Sequence, residues 1–258
     1  MLNIGLVGAN GKMGRSIVNR IKNNPDKYNL KCAIVTDMHT IENIVKDVAQ
    51  VCSEDLNMLD GVDVVIDFSS AKSSLVLLPV CIENKLPIII GTTGFSESER
   101  DFMQVCSGDT PILYAPNTSL SVNVLYKVIE MVSNRLRGFD VEITEAHHRY
   151  KKDAPSGTAL KLGGIIAKER ELSFNDFARF DRHELNEVRK IDEIGYSVIR
   201  GGDIVGMHDV QFINDGEMLS LKSQITNRDC FAYGALLAAE FLHGKPVGLY
   251  NMWDVLGL

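Results

Sequence analysis

The sequence is short of cysteine pairs, of positive charge and of long apolar runs, and each shortage removes a class of protein. Its five cysteines, Cys32, Cys52, Cys81, Cys106 and Cys230, are scattered and odd in number, with no Cys-x-x-Cys pair. A disulfide framework or a zinc site is not expected, and no metal site is predicted. Most of the cysteines sit in apolar surroundings and read as small core residues. Lys and Arg number 27 against 34 Asp and Glu, a formal net charge of −7. A nucleic-acid binder usually shows the opposite imbalance. No apolar run reaches the roughly 18 residues that a membrane span requires. The opening Met1-Leu2-Asn3-Ile4-Gly5-Leu6-Val7 is too short and uncharged for a secretory leader. The expectation is a cytoplasmic chain with neither nucleic-acid nor membrane partners.

What is present is a globular composition, 45% apolar and 24% charged over 258 residues, enough for one large domain or two smaller ones. In the first half, β-branched runs at 3–8, 30–35, 62–68, 87–91 and 111–115 alternate with amphipathic stretches near 13–23, 41–50, 73–84 and 97–107. That rhythm implies βαβ units, hence a parallel sheet with helices on both faces. After Asn117 the pattern changes. A helix over 120–137, a strand over 140–146 and a helix over 157–171 are followed by strand-like runs at 195–200, 204–213 and 218–226. Consecutive strands without helices between them suggest an open mixed or antiparallel sheet, so the fold class is α/β with a second α+β domain. Residues 173–190 are charged and aperiodic and read as a surface excursion. A helix over 231–243 and an apolar tail over 247–258 close the chain.

The first strand runs directly into Gly8-Ala9-Asn10-Gly11-Lys12-Met13-Gly14 and then a helix. Glycines at such a turn let the backbone approach a pyrophosphate, and the helix start offers free N–H groups with partial positive charge. The spacing is Gly-x-x-Gly-x-x-Gly rather than the commoner Gly-x-Gly-x-x-Gly, so its position between a strand and a helix carries the dinucleotide reading; the alternative is an ordinary glycine-rich turn. The second strand ends in Val35-Thr36-Asp37, about 20 residues beyond the glycines, where an acid can accept from a ribose hydroxyl. Asp37 would repel a 2′-phosphate, so NADH is expected to serve at least as well as NADPH; Lys12 is the one basic residue placed to soften that preference. Gly91-Thr92-Thr93-Gly94 and Ala115-Pro116-Asn117-Thr118 fall at two further strand ends and could meet a nicotinamide and its ribose.

The densest chemical stretch runs from Glu145 to Leu160. An alternating strand, Val141, Ile143, Glu145, leads into His147-His148, then Lys151-Lys152, then a turn before Ser156-Gly157-Thr158. Ser156 is a natural N-cap, and the helix start it opens could seat a substrate carboxylate on the amides of Gly157 and Thr158. Histidine is suited to proton transfer near neutral pH, and either His147 or Lys151 could deliver a proton. A metal pair at His147-His148 is disfavoured, because adjacent strand residues face opposite ways. The plainer alternative is a basic solvated loop after an edge strand.

Glu145-Ala146-His147-His148 through Lys151, and Asp153-Ala154-Pro155-Ser156-Gly157-Thr158-Ala159, resemble the signature of the 4-hydroxy-tetrahydrodipicolinate reductase family. So do residues 7–14, 65–69, 91–95, 200–208 and 248–256, in order along nearly the whole chain. The resemblance implies an NADH- or NADPH-dependent reduction of a small cyclic dicarboxylate imine in lysine and diaminopimelate biosynthesis. It implies a Rossmann-type domain over 1–118 completed by 230–258, and a central domain over 119–229 that binds substrate and builds a homotetramer. An open sheet with uncovered edges is consistent with that assembly. By position, His147 becomes the proton donor and Lys151 the second catalytic group, while His148, Gly157 and Thr158 hold substrate. Gly8, Ala9, Asn10, Gly11, Lys12, Met13, Gly91, Thr92, Thr93 and the 115–118 loop hold the cofactor. Thr36-Asp37 departs from the acidic–basic pair of some members. A semialdehyde dehydrogenase of similar layout would need an activated cysteine, and none of the five has such a setting. A non-catalytic dinucleotide sensor would have no need of the His-His-x-x-Lys group.

Overall fold

The computed structural model describes residues 1–35, 59–183 and 186–258, together with the backbone of 49–52. Two compact units emerge: Met1–Leu120 with Arg228–Leu258, and Ser121–Asn227.

The first unit opens with β1 (Leu2–Val7), α1 (Lys12–Lys22), β2 (Tyr28–Val35), β3 (Ala49–Cys52), β4 (Val64–Asp67), α2 (Ala71–Glu83), β5 (Ile88–Ile90), α3 (Glu97–Cys106) and β6 (Pro111–Tyr114). The second contains α4 (Leu120–Arg135), β7 (Asp140–His147), α5 (Gly157–Glu169), α6 (Phe174–Phe177), β8 (Ala178–Arg179), β9 (Ile194–Arg200), β10 (Gly206–Asn214) and β11 (Glu217–Ile225). The chain returns to the first unit with α7 (Asp229–Leu242), β12 (Gly248–Tyr250) and α8 (Met252–Leu256).

In the first unit seven strands lie in the order β12-β6-β5-β4-β1-β2-β3, and every pairing is parallel. The order reverses between β1 and β4, and such a switch point at the carboxyl ends of strands is where open α/β sheets bind ligands. Strands β4 and β5 are buried at every residue, as strands covered on both faces must be. One face packs against Ile17, Val18 and Ile21 of α1 and the alanine-rich side of α7, Ala232, Ala235, Ala238 and Ala239. The other face packs against Leu77, Leu78 and Cys81 of α2 and Met103 and Cys106 of α3. Helix α3 starts in a capping box: the Ser96 hydroxyl accepts from Glu99 N, and the Glu99 carboxylate accepts from Ser96 N at 2.7 Å.

The second unit is built on a five-stranded sheet in the order β11-β10-β7-β9-β8. The β11–β10 and β10–β7 pairings are antiparallel, while β7–β9 and β8–β9 are parallel. The sheet is therefore mixed. Val141, Ile143 and Glu145 of β7 stand opposite Phe212, Val210 and His208 of β10 on one buried face. Two of those six are polar, and both belong to the candidate site.

Three sequence expectations are altered. The helix expected over 41–50 lies outside the described residues except at its last two positions, which open β3. The aperiodic stretch 173–190 holds α6 and β8, and β8 joins the sheet. Ion pairs rather than apolar periodicity pin it: Arg179 to Glu193 at 3.2 Å, Arg182 to Glu193 at 2.7 Å and to Glu142 at 3.1 Å. The tail forms β12, parallel to β6, and α8; a three-residue strand is too short to show a period.

Phe212 is fully buried at the centre of the mixed sheet. Phe212→Ala should lower unfolding stability by about 3–5 kcal/mol, read as a shift in the urea midpoint with the slope unchanged.

Candidate active site

In the first unit, the loops after β1, β4, β5 and β6 line up at the carboxyl edge of the sheet. Gly8 has φ +78°, and a Cβ there would stand 2.5 Å from the Phe68 carbonyl oxygen. A Cβ on Gly14 would collide with the Gly8 carbonyl oxygen and the Ala9 backbone. Only glycine allows strand, turn and helix to meet so closely. Gly11 N donates to Gly8 O at 3.0 Å, and Gly11 caps α1 without any side-chain hydrogen bond. Gly11 has no side chain with which to cap the first-turn amides, which suits a helix start that takes an anion. Ala9 is buried, Asn10 and Met13 are half-buried, and Lys12 is exposed at the loop's rim.

Asp67, at the end of β4, ties two of these loops together. Its carboxylate is completely buried and accepts from Ser69 N at 2.9 Å and from the hydroxyls of Ser69 and Ser74, both at 2.5 Å. Burial pushes this carboxyl above its ordinary range, against the pull of those hydrogen bonds. Ser69 N also donates to Thr92 Oγ1 at 3.1 Å, and the Phe68 ring lies against Gly91. The 91–93 loop is thus seated on the 67–69 turn, with Thr92 buried and Thr93 exposed. In the 115–118 loop Ala115 is buried, Pro116 exposed and Asn117 half-buried; the buried Thr118 hydroxyl donates to the Phe231 carbonyl of α7 at 2.8 Å. Asp37 lies outside the described residues. The 67–69 turn was not predicted as part of the site, although an acid ending an otherwise apolar strand was a visible signal.

In the second unit the centre is Glu145, fully buried on β7. His147 Nδ1 lies 2.7 Å from Glu145 Oε2, Ser156 N donates to Oε1 at 2.9 Å, and Arg200 grips both oxygens at 2.7 Å. A bidentate guanidinium is the strongest partner a carboxylate can have. Burial raises the Glu145 carboxyl, but Arg200, His147 and the Ser156 amide outweigh it and hold it below the usual range. Burial lowers the imidazole of His147, with Lys151 and Arg200 adding to the effect and Glu145 opposing it. Across the sheet on β10, the His208 ring meets that of His147 edge-on, centroids 5.2 Å apart, and His208 Nε2 lies 2.9 Å from the Ser156 hydroxyl. Ser156 caps α5, accepting from Ala159 N at 3.3 Å. Gly157 and Thr158 follow as the helix's opening residues, Gly157 exposed and Thr158 half-buried. Lys151 pairs with Asp153 at 2.9 Å. His148 is half-buried beside Tyr150, ring centroids 6.3 Å apart.

All five predicted residues of this unit, His147, His148, Lys151, Gly157 and Thr158, therefore lie around the junction of β7 and α5. Glu145, Arg200 and His208 were not predicted. The inward position of Glu145 in the Val141–Ile143–Glu145 alternation was the available signal for the first. Of the four cysteines whose side chains are described, burial raises every thiol, Cys32 to about 11. That is the reverse of an activated nucleophile and removes the dehydrogenase alternative among them.

A doubly wound parallel sheet with a glycine-built anion cradle, in a chain whose second unit carries a buried acid–imidazole pair, defines a Rossmann-type nicotinamide-dinucleotide reductase. Residues 2–118 match the family described as dihydrodipicolinate reductase, N-terminus, and 121–256 its C-terminus. The chain belongs to the dihydrodipicolinate reductase family. It is 41% identical to the 4-hydroxy-tetrahydrodipicolinate reductase of Campylobacter concisus, over 100% of this chain and 99% of that one. The reductase of the same name from Campylobacter fetus subsp. fetus is 43% identical, with 100% of both chains covered. The fold resembles dipicolinate-bound dihydrodipicolinate reductase from Paenisporosarcina sp. TG-14, with a TM-score of 0.79, 23% identity and 98% of each chain covered.

Burial, with the neighbouring His147 adding to it, takes the His208 imidazole from its ordinary 6.5 down to about 4. Between those values the unfolded chain binds a proton that the folded one refuses, so stability falls as the pH drops through that window. The urea midpoint should fall between pH 7 and pH 5, and His208→Gln should shrink that fall. An equal fall in both proteins would mean that His208 is not the titrating group.

Proposed function

We infer that this chain carries out the reaction for which its relatives are named. It reduces 4-hydroxy-tetrahydrodipicolinate to tetrahydrodipicolinate with NADH or NADPH, a step of lysine and diaminopimelate biosynthesis. The observation that carries the reading is the buried Glu145–His147 pair beside the capped start of α5: a proton source next to an anion seat, in a chain with a dinucleotide cradle. The first unit takes the cofactor, through 8–13, 91–93 and 115–118, and the second takes the substrate.

When bound, the dihydronicotinamide supplies the hydride. The substrate, once water has left it, is a conjugated cyclic imine; reduction at its fourth carbon drives electrons toward the ring nitrogen and leaves an enamine-like species that must be protonated. His147 delivers that proton. Lys151, freed from its pairing with Asp153 at the exposed end of the loop, holds positive charge against a substrate carboxylate and stabilises the developing charge. The amides of Gly157 and Thr158, with His148, hold the substrate's carboxylate at the helix start. The same reading puts the chain in the cytoplasm. Among the described residues no helix is long and apolar enough to cross a membrane.

A homotetramer built through the mixed sheet belongs to this reading. Its support is the face of the second unit's sheet that turns away from the core, where Ile199 is 47% and Met218 60% exposed. Light scattering at micromolar concentration should give four times the chain mass; a stable monomer would refute the assembly.

His147→Gln and Lys151→Ala should each lower kcat by about 10²–10⁴-fold, with the affinity for NADH nearly unchanged. Lys151→Ala should also raise the KM for the dicarboxylate, and Thr158→Pro, which removes a backbone donor, should act chiefly on KM. Steady-state rates with NADH and the condensation product of pyruvate and aspartate semialdehyde decide it. Near-normal kcat in both His147→Gln and Lys151→Ala would remove the proton-donor assignment.

A further inference from the structure

We propose that Glu145 is a positioning residue. Clamped by Arg200, it fixes His147 with Nδ1–H turned inward, so that Nε2 is the nitrogen that delivers the proton. Through the Ser156 amide it ties that ring to the anion-binding start of α5. The inference deepens the assignment of His147 as proton donor and rests on it.

The argument begins with hydrogen-bond capacity. Glu145 is fully buried, and its two oxygens meet two Arg200 nitrogens, the Ser156 amide and His147 Nδ1. An ionised carboxylate is an acceptor only, so Nδ1 must be the donor. In the neutral ring Nε2 is then bare, and in the imidazolium Nε2 carries the removable proton. The step balances: the Nε2–H bond breaks, the new bond to the substrate forms, and the ring is left as the neutral Nδ1–H tautomer, to be reprotonated from solvent. The pair is the orienting element that catalytic histidines commonly require.

The rest of the cluster serves the same end. Besides Glu145, the guanidinium of Arg200 donates to the carbonyls of Ile199 at 2.8 Å and Asp153 at 2.6 Å. Both of its terminal nitrogens are therefore engaged, and only the buried Nε lacks a partner. Arg200 is thus spent on the carboxylate, not available to a substrate anion. The charged and titratable groups facing His147 are Glu145 on its own strand, Arg200 on β9, His208 on β10 and Lys151 in the loop. Three of these can be cationic and disfavour a second positive charge. Glu145 alone favours the imidazolium, and with burial also acting against it, neutralising Glu145 should lower the pH at which His147 loses its proton.

Glu145→Gln, Glu145→Asp and Arg200→Lys would be compared with the native enzyme in kcat and KM across pH, using NADH and the cyclic dicarboxylate. Nitrogen-15 spectra of the His147 ring would be recorded in parallel. Glu145→Gln should lower kcat by about 10–10²-fold, less than His147→Gln. It should also move the alkaline limb of kcat to lower pH and leave the KM for NADH unchanged. Glu145→Asp, which keeps the charge, should retain the native limb. If Glu145→Gln does not fold, Arg200→Lys, which keeps the charge but loses the fork, should lower kcat and weaken the Nδ1 preference of the neutral His147 ring while retaining the limb. The native neutral ring should show a protonated Nδ1. A native ring protonated on Nε2, or an unmoved limb in Glu145→Gln, would overturn the inference. The spectra read the tautomer whatever His147→Gln does to turnover, so failure here and failure of the donor assignment are told apart.

Discussion

A carboxylate buried without compensation is among the costliest things a protein can contain, and the second unit is arranged around meeting that cost at Glu145. The fork of Arg200 brings β9 to it, the Ser156 amide brings the start of α5, and His147 brings the end of β7. Arg200 also reaches back to the Asp153 carbonyl, so the loop carrying Lys151 is held by the same group. The acid, the basic loop and the start of α5 are tied together, because the Ser156 amide donates to the same carboxylate that Arg200 grips, and Arg200 also donates to the Asp153 carbonyl of the loop. Rigidity of this kind suits the proposed site, in which proton delivery and carboxylate binding act on one small ring.

The first unit solves its own problem by steric omission rather than charge. Glycines at 8 and 14 let the turn, the helix and the β4 loop come into backbone contact. The loops after β4 and β5 are then locked to each other through Asp67, Ser69 and Thr92. The surface proposed to receive the cofactor is thereby built almost wholly from backbone and small side chains.

What could be read from the sequence follows from how locally each feature is encoded. The strand–glycine–helix start, the β-branched strands and the His147-to-Thr158 stretch are written in neighbouring residues, and the structure brings the predicted residues of each unit together. Features made by distant residues were not legible. Arg200 lies 55 residues from Glu145, and His208 lies 52 from Ser156; no local period announces either. Strand β8 is secured by arginine–carboxylate pairs within a charged stretch, and β12 exists because β6 offers it an edge. The acid at position 37, expected from the sequence to meet a ribose, lies outside the described residues.

The return of the chain to its first sheet has a consequence for how the molecule is made. The face of that sheet shared by α1, α7 and Met252 of α8 receives the cover of α7 and α8 only from residues translated after the second unit. The intervening unit, Ser121–Asn227, holds all the strands of its own sheet before α7 leaves the ribosome. During synthesis Ile4, Leu6, Val64 and Ile66 therefore wait beneath an unfinished roof while a later-encoded sheet can already close. Exposed apolar surface on incomplete chains is what draws them into aggregates. The period of greatest hazard is set by where the second unit interrupts the first, not by the stability of the finished protein.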